Sequence, residues 1–78
     1  MIEEISELIQ KGQAKKVVKL VNEALEAGFP ATDILNQGLL KGMDAIGVKF
    51  KIEEVFVPEV LVAARAMNKG IEILKPYL

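Results

Sequence analysis

Residues 47–67, GVKFKIEEVFVPEVLVAARAM, join two long amphipathic segments through a short connection. The middle of this stretch is apolar, because Val55, Phe56 and Val57 follow one another directly before Pro58. Connections between helices normally run over the surface and are polar. An apolar connection therefore either packs beneath the helices or forms a contact surface.

Helical periodicity extends on both sides of this stretch, and apolar residues that recur every three or four positions predict four helices. The third helix is predicted over about residues 31–50, and the fourth starts near Pro58, since Pro is favoured in a first helical turn. The two earlier helices end at Gly12 and Gly28, because Gly is favoured just past a helix C-terminus. Short connections between four helices predict an all-α fold, an antiparallel four-helix bundle.

Helices two to four are expected to form the core of this bundle. The residues expected to be buried are Val21, Leu39, Met43, Ile46, Leu61, Ala64 and Ile71. Gly38, Gly42 and Gly47 lie inside the third helix, where each Gly costs roughly 1 kcal/mol relative to Ala. For Gly38 and Gly42 the favoured explanation is close approach of another helix, and the alternative is a ligand or partner lying against the backbone.

Composition excludes several functions. The 78 residues predict one small domain, residues 1–78, and a formal net charge of -1 leaves no basic surplus for nucleic acid. The longest apolar run is far shorter than the ~20 residues that a membrane span needs. No basic segment follows Met1, so no signal peptide is expected, and a cytoplasmic location is compatible with the absence of Cys.

The residues of this chain do not predict an enzyme. Cys and His are both absent, which removes thiolate nucleophiles, imidazole acid–base chemistry and the usual zinc ligand sets. Glu53, Glu54 and Glu59 flank the apolar connection, and solvated helix ends are the favoured interpretation of these carboxylates. We therefore expect no catalytic residue and no metal ligand.

The apolar residues around the connection are more numerous than a helix start requires. A hydrophobic staple uses one or two apolar side chains packed on the following turn. Here Phe50, Val55, Phe56, Val57 and Val60 lie on both sides of one connection. An apolar end on a small domain indicates a contact surface.

Three motifs together resemble a known family. They are Gly38-Leu39-Leu40-x-Gly42-Met43-x-x-x-Gly47-x-x-Phe50, then Phe56-Val57-Pro58-Glu59-Val60-Leu61, and Ala63-Ala64-Arg65-Ala66-Met67. In combination they resemble the helical cap module of corrinoid proteins. These are the cobalamin-binding components of methyltransferase systems, such as the methylamine and methanol corrinoid proteins and cobalamin-dependent methionine synthase. The resemblance covers nearly the whole chain, from Ile2 to Leu78.

This resemblance implies a function for the apolar end. In the family the four-helix bundle sits on the upper face of the corrin and shields the cobalt-bound methyl group until a substrate domain displaces it. Phe50, Val57 and Val60 match the family residues that contact this face and are the expected cofactor-binding residues. The implied cofactor is cobalamin, and the implied partners are a Rossmann-like cobalamin-binding domain and a cognate methyltransferase.

The chain departs from the family pattern in two ways. Glu53 stands where the family usually has Gly or a similar turn former, so a left-handed backbone there would be strained. The Rossmann-like domain, whose His binds cobalt from below, is expected after the cap and is absent from residues 1–78. Cobalamin binding is therefore expected only together with that domain.

A rival interpretation makes the chain a structural interaction module. Its apolar end would then bind a partner protein or a second copy of the chain. We expect the isolated domain to self-associate, as a homodimer, through Phe50, Phe56 and Val57.

Overall fold

Four helices, each reversing the direction of the one before, make up the computed structural model, which describes residues Met1–Leu78, the whole chain. The bundle measures 37 × 18 × 17 Å. The predicted all-α, four-helix fold is confirmed, with no strand present. The helices are α1 (Ile2–Gln10), α2 (Ala14–Glu26), α3 (residues 31–51) and α4 (Val57–Leu74), followed by a short 3-10 turn, Lys75–Tyr77.

The third helix contains a π-helical stretch that sequence patterning did not predict. It begins as α-helix over Ala31–Asp33, is π-helical over Ile34–Leu40 and continues as α-helix over Lys41–Lys51. Its buried residues include Ile34, Gly38, Gly42 and Ile46, which are spaced strictly by four. In a regular α-helix a four-residue step drifts by about 40° around the axis. A π-helix has more residues per turn, so a four-residue step rotates less around the axis there. This reduces the accumulated drift and keeps the four positions on one face.

Glycines allow α1 and α4 to lie close against their neighbours. A Cβ on Gly38 would lie 3.1 Å from Ile5 Cγ2, and one on Gly42 would lie 2.7 Å from Ile9 Cβ. On α4, a Cβ on Gly70 would lie 2.9 Å from Leu39 Cδ2. The predicted close helix–helix approach at Gly38 and Gly42 is confirmed, and the helix that approaches is α1.

The first helix is therefore also part of the core, in addition to helices two to four, which were expected to form it. Ile5 and Ile9 are fully buried on α1, beside the helix α3 glycines. The sequence shows both residues on one apolar face, but α1 has only nine residues and its partner could not be read from its own periodicity. Of the residues expected to be buried, Val21, Leu39 and Ile46 are fully buried, while Met43, Ala64 and Ile71 are half-buried.

The prediction that Leu61 is buried was wrong. Leu61 is 61% exposed, and α4 instead turns Ala63, Ala66 and Gly70 toward the core. Leu61 lies two residues before Ala63, which places it about 160° around the helix. The small residues Ala63, Ala66 and Gly70 let α4 approach its neighbours closely, and Leu61 lies off this packed face.

The first three helices all end in a Schellman arrangement. In each, the residue just past the helix has positive φ: Gly12 (φ 66°), Gly28 (φ 92°) and Glu53 (φ 63°). At the end of α3, the N–H of Glu54 donates to the carbonyl of Lys49 at 2.8 Å, and the N–H of Glu53 donates to that of Phe50 at 3.1 Å. Glycine is the usual residue at this position, since a side chain is strained in the left-handed region. The strain anticipated for Glu53 is thus present.

We expect Glu53→Gly to stabilise the chain by roughly 0.5–1 kcal/mol. Relief of left-handed strain contributes about 1–2 kcal/mol, and the greater freedom of Gly in the unfolded state offsets about 0.4–1 kcal/mol of it. Urea unfolding of the two proteins measures the difference. Glu54→Gly is the control, because Glu54 does not have positive φ and should gain nothing. An equal gain at both positions would assign the effect to lost charge instead of backbone strain.

Candidate functional site

The candidate site lies where α3 ends and α4 begins. Phe50 is in the last turn of α3, residues 52–56 form the connection, and Val57 and Pro58 open α4. Phe56 has an extended backbone, and its N–H donates to Glu59 Oε1 at 3.4 Å. Glu59 thereby satisfies one free backbone donor and places negative charge in the first turn, where the helix dipole favours it.

The apolar connection does not pack inward. Phe50 is 46% exposed, Phe56 is 64% exposed and Val57 is 54% exposed. Other large apolar residues nearby in the sequence are also exposed, among them Ile52 and Leu61. We call the set Phe50, Ile52, Phe56, Val57 and Leu61 the apolar end. Because these residues are exposed, the connection forms a contact surface and does not pack beneath the helices.

Val60 differs from the other two predicted cofactor-binding residues. It is half-buried and packs against the hydrophobic core, whereas Phe50 and Val57 are exposed. Val55 and Val60 occupy the two positions of a hydrophobic staple around the Phe56 N-cap, and both are half-buried. The staple positions are thus taken by Val55 and Val60, which leaves the exposed Phe56 and Val57 available for contact.

A shallow open cleft of about 370 Å³ lies at the apolar end. Its lining brings together Phe50 from α3 with Val55 and Phe56 from the connection. Val57 and Val60 are three residues apart and so share a face of the first turns of α4. The larger cleft, about 420 Å³, lies between the α1–α2 turn and α4, and only Val62 among its lining residues is hydrophobic. The apolar end is therefore the better match to a flat, apolar ligand surface.

A hydrogen bond holds the end of α3 against α1. Lys49 Nζ donates to Gln10 Oε1 at 3.0 Å, and Gln10 Nε2 donates to the carbonyl of Ser6 at 3.4 Å. Lys49 directly precedes Phe50, so this bond fixes the helix turn that presents the Phe50 ring. Sequence reasoning missed this pair, because 39 residues separate its members and neither has a local signal.

The acidic side chains of the chain do not cluster. Nowhere do three or more His, Cys, Asp or Glu side chains come together as a metal-binding group. None of the helices is both long enough and apolar enough to cross a membrane. The chemistry available at the site is hydrophobic contact and exclusion of water.

Self-association through the apolar end stays a prediction, and the exposure of Phe50, Phe56 and Val57 supports its premise. We expect sedimentation to show association that increases with protein concentration. Phe56→Lys should weaken it, while Tyr77→Lys should not, because Tyr77 is equally exposed but follows α4 at the other end of that helix. A monomer at high concentration would contradict the prediction.

Three comparisons place the chain among known proteins. The model of a family described as "B12 binding domain" matches residues 1–75. A monomethylamine corrinoid protein of Methanosarcina acetivorans is 48% identical over 61 residues, covering 78% of this chain and 28% of the relative. A corrinoid protein of Desulfitobacterium hafniense is 32% identical over 78 residues, covering 100% of this chain and 36% of the relative.

The structural comparison agrees with the sequence comparisons. The solved structure of the Methanosarcina barkeri monomethylamine corrinoid protein superposes on 96% of this chain with a TM-score of 0.93 and 35% identity. The chain spans about a third of the length of these corrinoid proteins, 28–36%. The match to the family model over residues 1–75 shows that this chain belongs to the B12 binding domain family.

Proposed function

We propose that this chain is the helical cap of a corrinoid protein, covering the upper face of cobalamin and shielding the cobalt-bound methyl group during methyl transfer. The observation that carries the proposal is the exposed apolar end. A small domain with a closed core nevertheless leaves Phe50, Phe56 and Val57 about half exposed or more at one end. Membership in a B12-binding family gives this surface a chemically suitable occupant.

The residues present fit one face of a flat macrocycle. Phe50 and Val57 would contact the corrin directly, and Val60, packed on the core, would support Val57 one turn away on the same face. Apolar contact of this kind is non-directional and scales with the area removed from water. On the α3 side of the site, the end of the helix is held by the hydrogen bond from Lys49 to Gln10. On the α4 side, the start of the helix has Val55 and Val60 at the two staple positions.

The cap contributes no acid, base or nucleophile. When bound, a corrinoid supplies the cobalt that carries a methyl group between a donor and an acceptor. Phe50, Val57 and Val60 would exclude water and oxidants from the space above that cobalt. Because His is absent from the chain, an imidazole ligand to cobalt would have to come from another domain.

We further propose that the cap acts together with a Rossmann-like cobalamin-binding domain and a cognate methyltransferase. The relatives that the chain matches are about three times its length, which leaves room for such a domain in those proteins. The cap must also move aside for methyl transfer, and a contact made by a few apolar side chains can be broken without disrupting the core.

The second candidate function is an interaction module without a cofactor. The same exposed apolar end supports it, since such a surface also fits another protein or a second copy. A cap protects a bound cofactor, whereas an interaction module does not. A single chimaera, loaded with cofactor, therefore distinguishes the two functions.

The test uses a chimaera in which this chain replaces the matching region of the Methanosarcina barkeri monomethylamine corrinoid protein. The TM-score of 0.93 over 96% of this chain makes the exchange geometrically reasonable. After loading with methylcobalamin, we expect photolysis and oxidation to be slower than in the same protein lacking the helical region. Equal rates with and without this chain would reject the cap function.

A further inference from the structure

The fold explains why glycine is needed at five of the six glycine positions, but it does not explain Gly47. Two glycines have positive φ, namely Gly12 and Gly28, and three would place a Cβ against a neighbouring side chain, namely Gly38, Gly42 and Gly70. Gly47 lies inside α3 with an ordinary helical backbone, and no atom from the rest of the fold lies within 4 Å of the position that its Cβ would occupy. Glycine is among the least favourable residues in a helix interior. The folded chain alone therefore does not explain this residue.

Gly47 lies beside the apolar end. It is four residues after Met43 and three before Phe50, within the regular α-helical part of α3, so the three share one face. Its Cα is about 4.5 Å along the helix axis from that of Phe50. The absence of a side chain at residue 47 leaves the α3 backbone exposed about one turn before Phe50.

We infer that Gly47 belongs to the cofactor-contact surface, where it lets the edge of a corrin lie against the backbone of α3. The inference rests on the proposed function and adds a residue to its site. Phe50 would cover the face of the macrocycle, and the bare backbone at Gly47 would accommodate its rim. A side chain at residue 47 would lift the cap from the corrin while leaving the bundle core untouched.

The inference predicts opposite effects of one substitution on folding and on cofactor protection. In the 78-residue chain, Gly47→Ala and Gly47→Leu should both raise the thermal midpoint, by about 4–8 °C, because both residues favour helix and residue 47 is exposed, with open space at its Cβ position. In the methylcobalamin-loaded chimaera both should speed photolysis. Leu should have the larger effect, of about tenfold, the factor that corresponds to 1.4 kcal/mol of lost contact.

Asn36→Leu is the matched control, since Asn36 is exposed on the same helix, about 16 Å from Gly47 along the axis. It places the same leucine side chain at an exposed position of this helix, away from the apolar end, and should leave photolysis unchanged. Photolysis at the wild-type rate in both Gly47 variants would overturn the inference. So would a lower thermal midpoint, which would assign Gly47 a packing role in the fold.

Phe50→Ala in the same chimaera separates this inference from the proposed function. If Phe50→Ala exposes the cofactor and the Gly47 variants do not, the cap function stands and Gly47 lies outside the contact. If none of these substitutions changes photolysis, the proposed function fails together with the inference.

Discussion

Phe50→Ala is expected to speed photolysis of methylcobalamin in the loaded chimaera by roughly tenfold, equivalent to about 1.4 kcal/mol of lost contact. Phe50 presents its ring at the end of α3, beside Phe56 and Val55 in the same cleft. Truncation removes the largest apolar surface that the proposed contact contains, since an aromatic side chain buries about 150–250 Å² when covered. Water and oxidants would then reach the cobalt-bound methyl group.

The same substitution should leave the bundle folded. Phe50 is 46% exposed, so the core loses only part of its contacts. Phe29→Ala is the matched control, because Phe29 is also exposed but lies in the α2–α3 connection, at the opposite end of α3. Circular dichroism should show both variants folded, and only Phe50→Ala should change photolysis. Unfolding of Phe50→Ala, with normal cofactor protection in the folded fraction, would show that Phe50 is a core residue and not part of a cap.

Leu39→Ala is expected to destabilise the chain by about 2–5 kcal/mol, the usual cost when a buried leucine leaves a cavity that cannot collapse. Leu39 is fully buried, and its Cδ2 lies 2.9 Å from the position that a Cβ on Gly70 would occupy. The backbone of α4 thus lies close against this side chain, and its removal should leave a cavity between α3 and α4. A domain of this size has a total stability of only about 4–12 kcal/mol, so the loss is a large fraction of it.

Urea unfolding measures this loss, and Leu40→Ala is the control. Leu40 is the next residue in the same helix and is exposed, so the same truncation should cost well under about 1 kcal/mol there. A change within about 0.5 kcal/mol at Leu39 would mean that its site collapses freely and that the packing of α4 against α3 is looser than described.

Most of the fold could be predicted because its determinants are local. Helix ends at Gly12 and Gly28 follow from backbone conformations that only glycine adopts easily, and both were placed correctly. The tertiary features were harder. Burial of Ile5 and Ile9 depends on glycines more than 30 residues away, and the exposure of Leu61 depends on small residues forming the packed face of α4.

The candidate site was anticipated for a related reason. An apolar run before Pro58 contradicts the polar character of ordinary connections, and such a conflict in local sequence often marks function. The sequence could not separate Val60 from Val57, since both are valines on one helical face. The structure divides them, because Val60 packs on the core and Val57 is exposed. Whether these residues contact cobalamin stays a prediction.

The most direct test of the cap function is methyl and aromatic NMR of the chimaera with this chain selectively labelled, recorded without and with bound cobalamin. The macrocycle would shift the resonances of groups that lie against its face. We predict that the Phe50 ring and the methyl groups of Val57 shift strongly on loading and those of Val60 more weakly. Those of Val17 and Val21, fully buried in the core, should not shift. Unchanged Phe50 and Val57 resonances, with shifts appearing elsewhere on the bundle, would contradict the cap function at this site.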